Sequence, residues 1–191
     1  MTLIEVLVTS SLLLFFATGA VLVMISGQRS WLASRGQADA FQAGQVALAR
    51  ISRELQFSSS AFLTDNTSLT PPAFSFPSAF DSQGRFTTTV EGYADWQKFV
   101  VYYVPAKTQL LLRKELFTVP TDPTVDPVLS QSSLSAACDG KGALVASGVT
   151  SLVLTPSTTT SEVVLALGVQ LLNPNGRTDR ITWTVSIVPR N

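Results

Sequence analysis

An α+β fold is what this sequence predicts: a long N-terminal α-helix, apolar in its first half and amphipathic in its second, packed on an antiparallel β-sheet domain. Three observations carry that expectation. From Val6 to Ile25 no residue is charged, and at a rise of about 1.5 Å per residue roughly 20 apolar residues span a bilayer core of about 30 Å. From Phe41 to Leu55, apolar residues recur at spacings of three and four, the period of a helix that buries one face. Beyond Arg85, short β-branched and aromatic runs alternate with turn residues, the pattern of strands. The chain divides accordingly into a hydrophobic transmembrane or assembly helix (1–27), its amphipathic continuation (28–57) and a β-rich head domain (58–191).

Within the first segment, Glu5 stands just inside the edge of the uncharged run, and the next charge is Arg29. A carboxylate at the centre of a membrane helix costs about 3 kcal/mol, and less near an interface. No Lys or Arg nearby in sequence offsets that cost. Glu5 is therefore either a functional residue or a solvated acid at the headgroup level of an ordinary signal anchor. Ala17-Thr18-Gly19-Ala20 gathers small side chains that let helices approach closely. Gly19, with Ser26-Gly27, marks an expected soft point in the helix; ordinary transmembrane composition accounts for these residues equally well.

In the second segment Phe41, Gly44, Leu48, Ile51 and Leu55 form the apolar stripe, and Arg35, Asp39, Arg50, Arg53 and Glu54 break up the remaining surface. Core packing on a sheet is the direct use of such a stripe. A helix unbroken to Phe57 is about 85 Å long.

The head begins with loop signals. Ser58-Ser59-Ser60 and Thr64 to Pro77 are expected as loop, with Pro71-Pro72 breaking any helix and Phe74, Phe76 and Phe80 as anchors under the domain. Strands are expected at Phe86–Tyr93, Phe99–Val104, Leu110–Phe117, Leu144–Thr155, Val163–Leu172 and Arg180–Val188. Pro105-Ala106-Lys107-Thr108 and Asn173-Pro174-Asn175-Gly176 are turn signals. Alternation of Ile181, Trp183, Val185 and Ile187 with Thr182, Thr184, Ser186 and Val188 gives a one-sided sheet. Between the strand groups, Thr118 to Gly142 is expected as a long loop, of the sort that is functional or mobile.

Composition removes several classes of function. Charged residues make up 14% of the 191, and 13 basic residues balance 13 acidic ones; this gives no general attraction to nucleic acid or anionic lipid. The chain has no histidine, so Ser-His and Cys-His nucleophilic pairs and the commonest zinc ligand are missing. No catalytic set or cofactor site is expected, and the chain is read as a non-enzyme. Cys138 is the lone cysteine, so no intramolecular disulfide forms. Asp122, Asp126 and Asp139 offer oxygens for calcium, but their spacing fits no defined loop, and no metal site is assigned. Asn66-Thr67-Ser68 fits a glycosylation sequon.

The string Met1-Thr2-Leu3-Ile4-Glu5-Val6-Leu7-Val8 resembles the mature N-terminus of type IV pilins and type II secretion pseudopilins. Met1 departs from the usual Phe, and Leu22 stands where many major pilins carry proline. Ala47 to Leu55 and the closing Val185 to Asn191 resemble W-type minor pilins and J-type minor pseudopilins. The resemblance implies that Met1 is the leader-cleaved, N-methylated residue, although an initiator Met remains the alternative, and that Glu5, with Thr2, serves filament assembly. It implies as partners other pilin subunits, a prepilin peptidase, an inner-membrane assembly platform and lipid before assembly. The implied course is a single-pass inner-membrane protein, head outside the cytoplasm, that becomes a subunit of a surface or periplasmic filament. The alternative is a filament-borne adhesin or DNA-uptake module binding through the 118–142 loop; the neutral charge does not favour nucleic acid.

Overall fold

In the computed structural model, which describes residues 2–65, 72–117, 127–157, 161–172 and 178–189, helix α1 runs unbroken over Leu3–Gln56. Its 54 residues make it about 81 Å long. It passes through Gly19 and Gly27 without interruption, and a Cβ at either would meet nothing within 4 Å. A short 3-10 turn, Ser60–Phe62, follows.

Strands β1 (Thr64–Asp65), β2 (Ala73–Ser78), β3 (Lys98–Tyr103), β4 (Leu110–Leu116) and β5 (Ala143–Ser147) form an antiparallel sheet in that order. Strands β6 (Val149–Pro156), β7 (Val163–Leu172) and β8 (Thr178–Ile187) form a second antiparallel sheet. The second half of α1 lies on both, against β5, β7 and β8. A second helix, α2 (Gln131–Ala137), caps the far face of the larger sheet.

That double cover explains the run of β3. Val100 and Tyr102 face α1 with Phe74 and Phe76, while Phe99, Val101 and Tyr103 face α2 with Leu134. A strand buried on both faces shows no alternation. Phe74, Tyr102 and Phe76 stack with centroids 5.6 and 6.2 Å from the tyrosine ring. The smaller sheet is covered on one face only, and its outer Thr182, Thr184 and Ser186 are exposed, as their alternation predicts.

Several expectations change. Ala73–Ser78 is a fully buried strand rather than loop, so Phe74 and Phe76 are core residues, not anchors. Pro77 is accommodated because β1 pairs only with Phe74 and Ser75; at Pro77 the strand is an edge, where a missing N–H leaves no ladder bond unmade. Phe86–Tyr93 is not a strand. It belongs to an excursion from Ala79 to Gln97 held by Thr87 N donating to Ala79 O (2.8 Å) and Gln97 N to Ser78 O (2.9 Å), with isolated bridges at Phe80–Phe86 and Thr88–Ala94. It finds no neighbouring strand to complete a ladder. The expected strand at 144–155 is two, because Gly148 takes φ +76 and turns the chain from one sheet to the other. Gln170 N donates to Gly148 O (2.7 Å) across that corner.

The helix stripe is also displaced. Its buried members are Gly44, Ala47, Ile51 and Leu55, with Leu48 at the margin and Phe41 exposed against Trp183. The Ser-rich part of the expected long loop forms α2, whose Ser130 side chain accepts from Ser133 N. Residues 118–126, the sequon at 66–68 and the 173–176 turn lie outside the described residues.

Candidate functional site

The N-terminal end of α1 is built from local rules. Thr2 is extended and caps the helix: its hydroxyl accepts from Glu5 N (3.4 Å), and Thr2 N donates to Glu5 Oε2 (2.8 Å). This reciprocal pair is a capping box, and it places a carboxylate where the helix dipole favours negative charge. Glu5 thus has a local partner that a search for basic residues in sequence does not reveal. The hydrogen bond reduces its cost without neutralising its charge. Met1, the expected processing site, lies outside the described residues.

From Leu3 to Ile25 every residue of α1 is exposed, over a length of about 34 Å. The hydroxyls in this run are satisfied internally. Thr9 donates to Glu5 O (2.8 Å), Ser10 to Val6 O (2.8 Å), Ser11 to Val8 O (2.9 Å) and Thr18 to Leu14 O (2.8 Å). In an apolar medium each bond removes the penalty of an unpaired hydroxyl. The helix is long and apolar enough to cross a membrane once.

The other end of α1 is locked to the head by charge. Arg113 Nε donates to both oxygens of Glu54 (3.1 Å each), and Arg113 Nη1 reaches Glu115 Oε1 at 2.6 Å. Lys98 Nζ, on an 8% exposed side chain, meets Glu115 Oε2 at 2.9 Å, and Tyr102 OH donates to Glu54 Oε2 at 2.9 Å. Burial first, then the Glu54 carboxylate, pushes the Tyr102 phenol far above its ordinary value, so it stays a donor. Burial alone would lower the pKa of Arg113, but Glu54 and Glu115 outweigh it and raise the value. A polar cavity of about 310 Å³ opens beside the network, lined in part by Ser78, Phe80 and Asp81. Lys98 and Arg113 each already meet a carboxylate, so the arrangement ties β3 and β4 to the helix. Sequence reasoning missed it; the available signal is Arg113 and Glu115 two residues apart in a strand, on one face.

Cys138 Sγ donates to Leu134 O (3.2 Å), and burial pushes its thiol up to about 11, which leaves it protonated and unreactive at neutral pH. Asp139 is paired with Lys114 at 2.9 Å. Among the described residues no three acids or cysteines gather as a metal site would require.

Acid sensitivity follows from the head's carboxylates. Burial raises Glu115, but hydrogen bonds from Lys98 and Arg113 outweigh it and hold it below 4.5; Lys114 first, then Lys141 N, hold Asp139 below 3.8. Groups whose folded values are depressed contribute stability above their unfolded values and lose it as pH falls through the folded ones. The urea midpoint of the full chain in detergent is expected to be flat from neutral to about pH 5 and to fall below about pH 4. Glu115→Gln should flatten that acid limb; an identical limb in both chains would remove Glu115 from the account.

Comparison with family models, with curated proteins and with solved structures finds no match. The functional reading therefore rests on the geometry: a membrane-insertable helix, exposed in its first half, continuous with a helix half fastened to an antiparallel β-sheet domain.

Proposed function

We propose that this protein is a structural subunit of a type IV pilus-like filament, held in a membrane before assembly and polymerised through the first half of α1. One observation carries the reading: a helix 54 residues long is bare over its apolar half and buried against the head only from Gly44 onward. Apolar surface of that length has two physical covers, lipid tails or other helices. A subunit that exchanges the first for the second leaves the membrane and joins a bundle of like helices. The N-terminal motif fits such an exchange. An α-amino group is mostly cationic at neutral pH, and two unit charges about 4 Å apart at an effective dielectric near 20 attract by about 4 kcal/mol before desolvation. That is comparable to the cost of carrying Glu5 in an apolar medium. Glu5, positioned by Thr2, then serves as acceptor for the Met1 amine of its own or a neighbouring subunit.

The test is Glu5→Ala in the full chain. The variant should fractionate with membranes and keep a protease-resistant head, yet be missing from sheared filaments, in which mass spectrometry finds the parent chain beginning at N-methyl-Met1. Incorporation of the variant at the parent's level would refute the role of Glu5. Filaments lacking even the parent chain would refute the filament reading itself.

A further inference from the structure

The helix carries a second exposed feature just past its apolar run. Trp31 is 61% and Leu32 62% exposed, and the Arg35 guanidinium carbon lies 5.6 Å from the centre of the Trp31 ring. Arg29 and Arg35 make no ion pair among the described residues. At about 100° per residue, Trp31 and Arg35 share one face, while Ala33 and, one turn earlier, Arg29 lie roughly opposite. Ala33, Gln37 and Ala40 are the first half-buried residues of α1, so the Trp31–Arg35 face points away from the face that turns toward the head. Among the described residues no element covers it.

We infer that this stretch of helix, Arg29 to Arg35, is a membrane-surface anchor that binds anionic phospholipid headgroups around its circumference. The inference rests on insertion of the apolar run into a bilayer. The axial arithmetic places it there: the uncharged run ends at Ile25, Trp31 follows by about 9 Å, and helix side chains lean toward the N-terminus, back toward the membrane. The headgroup layer extends about 5–8 Å beyond the hydrocarbon. Tryptophan settles at that level because its ring is apolar and its N–H polar. Arginines there bury their stems and keep the guanidinium among phosphates. Arg35, already stacked on the Trp31 face, presents its remaining N–H donors outward to a lipid phosphate. The occupant is fixed by charge: Arg29 and Arg35 are the only charged residues between Glu5 and Asp39, so the helix just past its apolar run is locally cationic although the whole chain is formally neutral.

The experiment reconstitutes the full chain in vesicles of phosphatidylcholine and phosphatidylglycerol, with bromine on one lipid at a time. The Trp31 signal is the difference between the parent and Trp31→Phe, since Trp96 and Trp183 lie in the head. Shallow bromines on phosphatidylglycerol should quench Trp31 more than the same bromines on phosphatidylcholine at equal content. That preference should fall roughly five-fold for each of Arg29→Gln and Arg35→Gln, and collapse in high salt. A Leu13→Trp chain reports insertion separately, through quenching of the added indole by mid-chain bromines. If that indole is quenched while Trp31 is untouched by shallow bromines, or shows no preference for phosphatidylglycerol, the anchor is wrong and insertion stands. If neither is quenched, insertion fails and the anchor with it.

Discussion

Arg113→Ala should lower the unfolding free energy by about 3 kcal/mol, the low end of the cost of stranding buried charge. The substitution leaves Glu54 without its bidentate partner and removes one of the two cations on Glu115. The low end applies because the Glu54 side chain is 22% exposed and water partly replaces the lost partner. Tyr102 OH still donates to Glu54, and Arg50 Nε stays 3.4 Å from Glu54 Oε1, but a neutral donor and a long contact from a 45% exposed arginine do not replace the bidentate pair. The measurement is urea unfolding of the full chain in mild detergent, followed by near-ultraviolet circular dichroism. A cycle of Glu54→Gln, Arg113→Gln and the double variant should show coupling of about 1–3 kcal/mol. Strict additivity would mean that the helix and the sheet are not tied through this pair.

Gly44→Val should destabilise by about 1–3 kcal/mol, whereas Gly36→Ala, eight residues earlier in the same helix, should stabilise by up to about 1 kcal/mol. The opposite signs come from what a side chain meets. At Gly44 even a Cβ would come 2.6 and 2.9 Å from two atoms of the Trp183 ring and 3.3 Å from Val169 Cγ2. The ring is rigid and wedged against Phe41, with centroids 5.3 Å apart, so relief requires the helix to move off β7 and β8. At Gly36 a Cβ meets nothing within 4 Å, and the only change is the gain in helix propensity. Both are read from thermal midpoints of the full chain in detergent. Stabilisation by Gly44→Val would mean that the helix does not seat on the smaller sheet as described.

The helix was legible in sequence because its signals are local. Its apolar run, its start and its end need only spacing along one chain, and Leu3–Gln56 falls within a residue or two of the expected limits. The hairpin of β3 and β4, and the alternating β8, were legible for the same reason: a turn signal and a period of two. Elements went astray where the deciding term was a neighbour distant in sequence. Ala73–Ser78 carries a proline and an alternation only three residues long, Phe74-Ser75-Phe76, yet it becomes a core strand because β3 supplies its ladder and both faces are covered. Phe86–Tyr93 has the composition of a strand but no partner to pair with. Gly148 breaks one apparent strand into two because two sheets meet there. Glu5 was visible as an anomaly from charge alone, and the Thr2 hydroxyl was the local clue to its cap. Of the network of Glu54, Arg113, Glu115 and Lys98 only the Arg113–Glu115 spacing was a local signal, since Lys98 and Glu54 reach that pair across 17 and 59 residues. Sequence by itself thus determined the long helix, its membrane-length apolar half and the strand-rich character of the rest, all set by periodicity and transfer energy. Only the tertiary structure decided which strands pair, how the head divides into two sheets, and which charges fasten it to the helix, because those depend on contacts that no local stretch of chain encodes.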